Sequence, residues 1–181
     1  MVKYTITEAL ADLKTIHKRI EKKQDHIASY LVRQDGIKDP LEKDGGSVEV
    51  IRRERQAVAD LQKHFVNIRT AIQRSNQENS IEVEGVTKTI AEWLTWRKEI
   101  SANEKAFIHK MRLAVVQART AASQKGWQVV SGAQTPTNLT DLLVNIDESE
   151  LAKQAELIET ILGKLDGQLS LKNATILIEV E

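Results

Sequence analysis

The chain has 181 residues, 41% apolar and 29% charged, enough to bury one ordinary core or two small ones. Its 26 Lys and Arg balance 26 Asp and Glu, and this zero net charge excludes a whole-protein basic field for nucleic acid. Cys is absent, which removes disulfides, zinc–thiolate sites and Cys nucleophiles together, and 4% aromatics with only 8 Gly and 2 Pro predict a mainly helical chain.

Val2, Tyr4 and Ile6 alternate with polar residues and predict a short strand over 2–5. Thr5 and Glu8 have the spacing of a capping box, so a first helix follows, from Ile6 to near Arg33. Along it Ile6, Leu10, Leu13, His17, Ile20, Gln24, Ile27 and Leu31 step alternately by four and three residues. That heptad seam wants a partner helix lying nearly parallel or antiparallel. His17 on the seam reads either as a polar register-setting position or as a pH-sensitive contact. The stretch from Gln34 to Gly46 holds three Gly and one Pro and breaks the periodicity. Ser47 can cap a second helix reaching to near Ser75, with a seam of Ile51, Glu54, Val58, Leu61, Phe65, Ile68 and Ile72. The two helices then make an antiparallel hairpin.

Ile81 and Val83 alternate with Glu82 and Glu84 before Gly85, the pattern of a strand with one apolar and one acidic face. Thr89 and Glu92 repeat the capping-box spacing and open a third helix that reaches to near Ala122. Its main stripe is Trp93, Ile100, Phe107, Met111, Ala114, Ala118 and Ala121, widened by Ile90, Leu94, Ile108, Val115 and Ala122. Residues 123–146 are the least regular. Asp147 or Ser149 can cap a fourth helix through Leu151, Ala155, Ile158, Leu162 and Leu165 to near Leu169. The end of the chain, from Ala174 on, reads as a strand, and its Ile-Glu-Val-Glu ending echoes Ile81–Glu84, which points to mutual pairing of the two, with the first strand as a further partner.

The expected fold class is therefore mainly α: four long helices in antiparallel hairpins or a bundle, with a minor sheet from strands near 2–5, 80–84 and 174–180. As one domain over 1–181 it divides into a helical hairpin (1–76), a strand and turn (77–89), a third helix (90–123), an irregular loop (124–147) and a fourth helix with its terminal strand (148–181).

The chain has no G-x-G-x-x-G, no Walker-type phosphate loop and no G-x-S-x-G nucleophile elbow. Of the four His, the nearest pair, His17 and His26, stands nine residues apart, on opposite faces of a helix, so no metal pair is expected. Asp141, Asp147, Glu148 and Glu150 cluster before the fourth helix without EF-hand spacing, and read as helix-start acids near the positive end of the dipole. No cofactor, metal site or catalytic residue is expected.

No segment approaches 18 consecutive apolar residues, so no transmembrane helix is expected, and the N-terminus lacks a basic-then-apolar signal. Charge is uneven along the chain: residues 51–125 carry 14 basic and 8 acidic side chains, net +6, and residues 126–181 carry 3 and 9, net −6. These segments read as solvated helix faces, or as faces that dock within one molecule or between copies. Interaction candidates are Trp96, offset from the buried stripe, and Trp127, a loop Trp that either anchors an interface or covers the end of a small core. The strand residues Ile176, Ile178 and Val180 join them as an edge that can add to a neighbour's sheet.

Glu8-Ala-Leu, Val32-Arg-Gln-Asp-Gly-Ile-Lys-Asp-Pro40 and Ile72-Gln-Arg-Ser-Asn76 resemble, in order, landmarks of the septicolysin-annotated family of small helical bacterial and phage proteins. So do Gly85-Val-Thr-Lys-Thr-Ile-Ala-Glu-Trp-Leu-Thr-Trp-Arg97 and Lys164-Leu-Asp-Gly-Gln168 with Asn173. Arg97-Lys98 and Asn173-Ala174 stand where that family tends to have Arg-Asp and Asn-Trp. The resemblance implies a four-helix fold with a minor sheet and carries over no catalytic residue. Reading frames of this kind look at home in bacteriophage and prophage genomes, which implies a virion part, assembled in the host cytoplasm; a cytoplasmic protein is the alternative. The expectation is a non-enzymatic structural or interaction subunit, such as a capsid decoration or head/tail accessory protein. Its partners would be copies of itself or a virion shell protein, and not nucleic acid. The family name implies the alternative of a membrane-active cytolysin.

Overall fold

A computed structural model of the chain describes residues 2–131 and 142–180. The fold is mainly α, with four long helices and three two-stranded ribbons among the described residues. It divides into two compact units, residues 1–79 with 170–181 and residues 80–169, where the sequence reading has one domain.

The first unit opens on β1 (Val2–Thr5) and α1 (Ile6–Ser29). The expected capping box is formed: Thr5 Oγ1 accepts from the Glu8 N–H at 3.2 Å, and the Glu8 carboxylate accepts from the Thr5 N–H at 2.8 Å. Those bonds hold the Glu8 carboxyl below its ordinary range, the backbone bond most of all. Helix α1 stops at Ser29, short of Arg33, where the next residues, Leu31 and Val32, find no cover and lie exposed. A 3₁₀ turn, Glu42–Asp44, precedes α2 (Ser47–Glu78). The two helices are antiparallel, since Lys23 pairs with Glu54 at 2.7 Å and Asp12 approaches His64 at 3.7 Å.

Ser47 is not the cap of α2 but its first residue, and Gly46 with φ of 90° is the cap. The cap hydrogen bond comes instead from Asp39, whose carboxylate accepts from the Ser47 Oγ at 2.6 Å, the Ser47 N–H at 2.8 Å and the Leu41 N–H at 2.9 Å. These donors hold the Asp39 carboxyl down at about 2, the Ser47 hydroxyl contributing most.

The core of this unit is Ile6, Ala9, Leu13 and Ile16 of α1, Ile68 and Ile72 of α2, and two residues of a terminal strand, β6 (Leu177–Val180). The expected α1 seam is therefore corrected by one residue at two places: Ala9 is fully buried beside the half-buried Leu10, and further along Ile16 is buried while His17 is exposed beside Glu21 at 3.3 Å. Ile16 wins that place because Ile6, Ala9, Leu13, Ile16 and Ile20 already satisfy a three-and-four step with apolar side chains alone.

The strand pairing is also corrected. The two Ile-Glu-Val-Glu runs do not pair with each other: β6 pairs antiparallel with β1, Tyr4 opposite Ile178. The other run, β2 (Ser80–Val83), folds back on β3 (Val86–Thr89) through a two-residue turn. Glu84 at φ 50° and Gly85 at φ 74° give that turn the left-handed backbone dihedrals that match the right-handed twist of the flanking strands in a tight hairpin, so β2 has a local partner.

After β3 comes α3 (Ile90–Thr95), with its expected capping box between Thr89 and Glu92, then a π-helical turn (Trp96–Ile100), then α4 (Ser101–Lys125). The single long third helix is thus interrupted. A π turn inserts one extra residue and rotates everything after it by about 100°. The buried stripe of α4 becomes Ser101, Ile108, Val115 and Ala122, at steps of seven, while Phe107 and Ile100, expected inside, stand 62% and 44% exposed. On either side of residues 132–141 the chain is more regular than expected: β4 (Val129–Ser131) pairs parallel with β5 (Leu142–Val144). Gly132 to Asp141 lie outside the described residues.

Helix α5 (Glu148–Thr175) runs past the expected Leu169, and Asp147 is its cap, accepting from the Ser149 N–H at 2.8 Å. Leu151, Ile158, Leu165 and Leu169 are its buried residues. Ile108 of α4 packs with Leu151 and Ile158, and the ion pairs Lys105–Glu159 at 2.6 Å and Arg119–Glu148 show that α4 and α5 run antiparallel.

Candidate interaction surface

The second unit carries a groove of about 330 Å³ between α4 and α5, closed at one end by the β2–β3 hairpin and α3. Ile108 and Ile158, from the buried stripes, form part of its lining. Its walls are Trp93 and Trp96 before α4, Phe107 on α4, and Leu157 and Ile161 on α5. Polar side chains are few: Lys88, Glu104 and Gln154. The volume is at the small end of ligand-sized pockets.

Trp93 is the rigid part of this wall. It is 2% exposed, and its indole N–H donates to the Ile81 carbonyl at 3.1 Å, which ties α3 to β2. Lys88 Nζ lies 4.9 Å above its ring, a cation–π contact. Trp96 meets Trp93 edge to face, with ring centres 5.6 Å apart at 88°, and is left half-buried. Around it stand exposed apolar side chains: Phe107, Leu157 at 47% and Val86 at 44%. Isolated apolar residues on a surface are ordinary; several together along one groove make this face the candidate interaction surface.

The sequence candidates separate. Trp96 is in the groove wall. Trp127 follows the last turn of α4, 37% exposed, with the Lys125 ammonium 4.6 Å from its ring centre. Ile178 and Val180 are buried at 4% and 3% in the first unit's own core, with Ile176 packed against it, so their apolar faces are occupied within the chain. Phe107 and Leu157, the most exposed apolar members of the groove, are missed by sequence reasoning: Phe107 sits on a stripe that looks like core, and Leu157 stands beside the stripe of its helix and is not singled out.

Some of the charge at this unit is paired internally. Arg97 meets Asp166 at 2.7 Å, Lys105 meets Glu159, Arg119 meets Glu148, and Lys164 meets Glu84. The basic middle and acidic C-terminal segments thus meet within one molecule, through exposed pairs that contribute about 0–1 kcal/mol each. Among the described residues no three His, Asp or Glu side chains converge as a metal-ligand set; Asp141 lies outside them. No helix among them is long and apolar enough to cross a membrane.

No protein-family model matches the chain, and no curated protein matches it. The chain is similar to one solved structure, described as a functionally unknown conserved protein from Corynebacterium diphtheriae, at 14% identity and a TM-score of 0.46, over 98% of this chain and 100% of the other.

Proposed function

We propose that the protein is a non-enzymatic interaction subunit of a larger assembly, a bacteriophage virion part such as a capsid decoration or head/tail accessory protein. The observation that carries the reading is the second unit's groove, where Trp96, Phe107 and Leu157 are presented together to solvent. Large aromatic side chains in a partly desolvated groove with a polar rim are what protein interfaces use as anchors. The phage setting rests on the resemblance of Gly85–Arg97 and the other landmarks to proteins at home in phage genomes.

The test is fractionation of producing cells on a density gradient, with the chain followed by mass spectrometry. Co-sedimentation with particles, lost on Phe107→Ala or Leu157→Ala, is the expected result. A chain that stays in the light fractions, monomeric at every concentration, refutes it. Dye release from liposomes by that monomer would favour the membrane-active alternative.

A further inference from the structure

On the face of α4 next to the buried stripe runs a second apolar line: Phe107, Met111, Ala114, Ala118 and Ala121, spaced by four and three residues. Phe107, Ala114 and Ala121 are exposed, Met111 is half-buried against the Ile108, Leu151 and Ile158 cluster, and Ala118 is half-buried, so this line is covered only in part within the chain. Its two halves differ. The N-terminal half carries the bulk, Phe107 and Met111, and the C-terminal half carries only alanines. Its two ends differ in charge. Glu104 stands at the start, where it makes no hydrogen bond or ion pair with any described residue. Lys125 stands at the finish, eighteen residues after Phe107, which is five full helical turns and so the same face. Lys125 pairs with no carboxylate among the described residues either and rests over the Trp127 ring.

A line that is large at one end, with a carboxylate that pairs with no described residue, and small at the other, with an ammonium that pairs with no described carboxylate, is complementary to itself turned end over end. We propose that its occupant is a second copy of this chain: two α4 helices pack antiparallel about a two-fold axis near Ala114. In that arrangement the Phe107 end of each copy lies on the alanine end of the other, and Glu104 of each faces Lys125 of the other. A two-fold contact of this kind is isologous, so each favourable pairing occurs twice. The same turn carries Trp127, which follows Lys125, to the Glu104–Phe107 end of the other copy, where the groove lined by Trp96, Leu157 and Ile161 opens. From Ala114 to Glu104 is about 15 Å along the helix and to Lys125 about 17 Å, at about 1.5 Å per residue, so the two charges come level. Trp127 is the anchor of the contact and the groove is its receptor; the Glu104–Lys125 pairs set direction, since the parallel alternative would bring like charges together. The contact deepens the assembly reading above and rests on it.

The chain has no Cys, so single cysteines report cleanly. Ala114→Cys, near the axis, is expected to cross-link between copies with a short bismaleimide, and His109→Cys, exposed on another face of α4, is not. In sedimentation velocity, Trp127→Ala and Glu104→Lys are each expected to weaken self-association at least tenfold. Glu104→Lys combined with Lys125→Glu is expected to restore it, which a merely unfolded variant would not do; circular dichroism checks that each single variant stays helical. Equal cross-linking of Ala114→Cys and His109→Cys overturns the proposal. An oligomer indifferent to Trp127→Ala and to charge reversal overturns this contact and leaves the assembly reading standing. A monomer at all concentrations overturns this contact, and co-sedimentation with particles then decides the assembly reading by itself.

Discussion

Replacing Trp93 by Phe tests whether the wall of the groove is held by a hydrogen bond. The indole N–H is the donor to the Ile81 carbonyl at 3.1 Å, and both residues are buried, at 2% and 4% exposure. Phe keeps a ring for the edge-to-face contact with Trp96 but removes the donor. A buried acceptor left without a partner costs about 1–3 kcal/mol. The ring is also smaller by roughly 40 Å³, and at about 24 cal/mol per Å³ of residual void that adds about 1 kcal/mol. The expected loss is about 2–4 kcal/mol. Urea unfolding followed by tryptophan fluorescence reads it, because the remaining tryptophans, Trp96 and Trp127, both belong to the same unit as position 93. A Trp93→Leu variant, which also lacks the donor but changes shape further, should lose more. Unfolding of Trp93→Phe within about 0.5 kcal/mol of the wild type would show that the Ile81 carbonyl does not depend on the indole, and the reasoning would fail.

Leu13→Ala is expected to cost about 2–5 kcal/mol in a chemical melt, as a buried leucine should, whereas His17→Ala, on the exposed side of the same helix, should stay within about 0.5 kcal/mol; the reverse order would restore the seam through position 17. Deleting residues 176–181 removes Ile178 and Val180 from the first unit's core, about 1.5–3 kcal/mol each by burial, and leaves β1 without a strand partner. That deletion should lower the melting temperature sharply, and in the intact chain the β6 amides should exchange slowly with deuterium. The Asp39 carboxyl titrates at about 2, below its ordinary 3.8, so its bonds to Ser47 and Leu41 contribute stability that is full above about pH 4 and lost as pH falls towards 2. Asp39→Asn should remove that part of the acid transition, and an unchanged acid profile in the variant would count against the cap.

Local chemistry was legible in the sequence. The two capping boxes at Thr5–Glu8 and Thr89–Glu92 need only residues three apart, so their spacing alone implied them. The second helix was legible for a similar reason: Leu61, Phe65, Ile68 and Ile72 are apolar on one face only, which leaves one way to bury them. Where two neighbouring positions competed, as Ile16 and His17 did, the seven-residue step was satisfied by either, and packing against α2 and β6 chose the apolar one. Helix α4 offered two apolar lines side by side. The π turn at Trp96–Ile100 set the phase that gave Ile108 and Val115 to the core and left Phe107 outside, and no composition or periodicity announces a single inserted residue. Strand pairing was the least legible, because Ile81–Glu84 and Ile178–Glu181 have the same four letters. The Glu84-Gly85 turn delivered β3 to the first, and the end of α5 delivered the second to β1. The Trp96 groove follows the same logic: sequence supplies an aromatic at a position, but whether its face meets a neighbouring element or water is a property of several chain segments meeting in space.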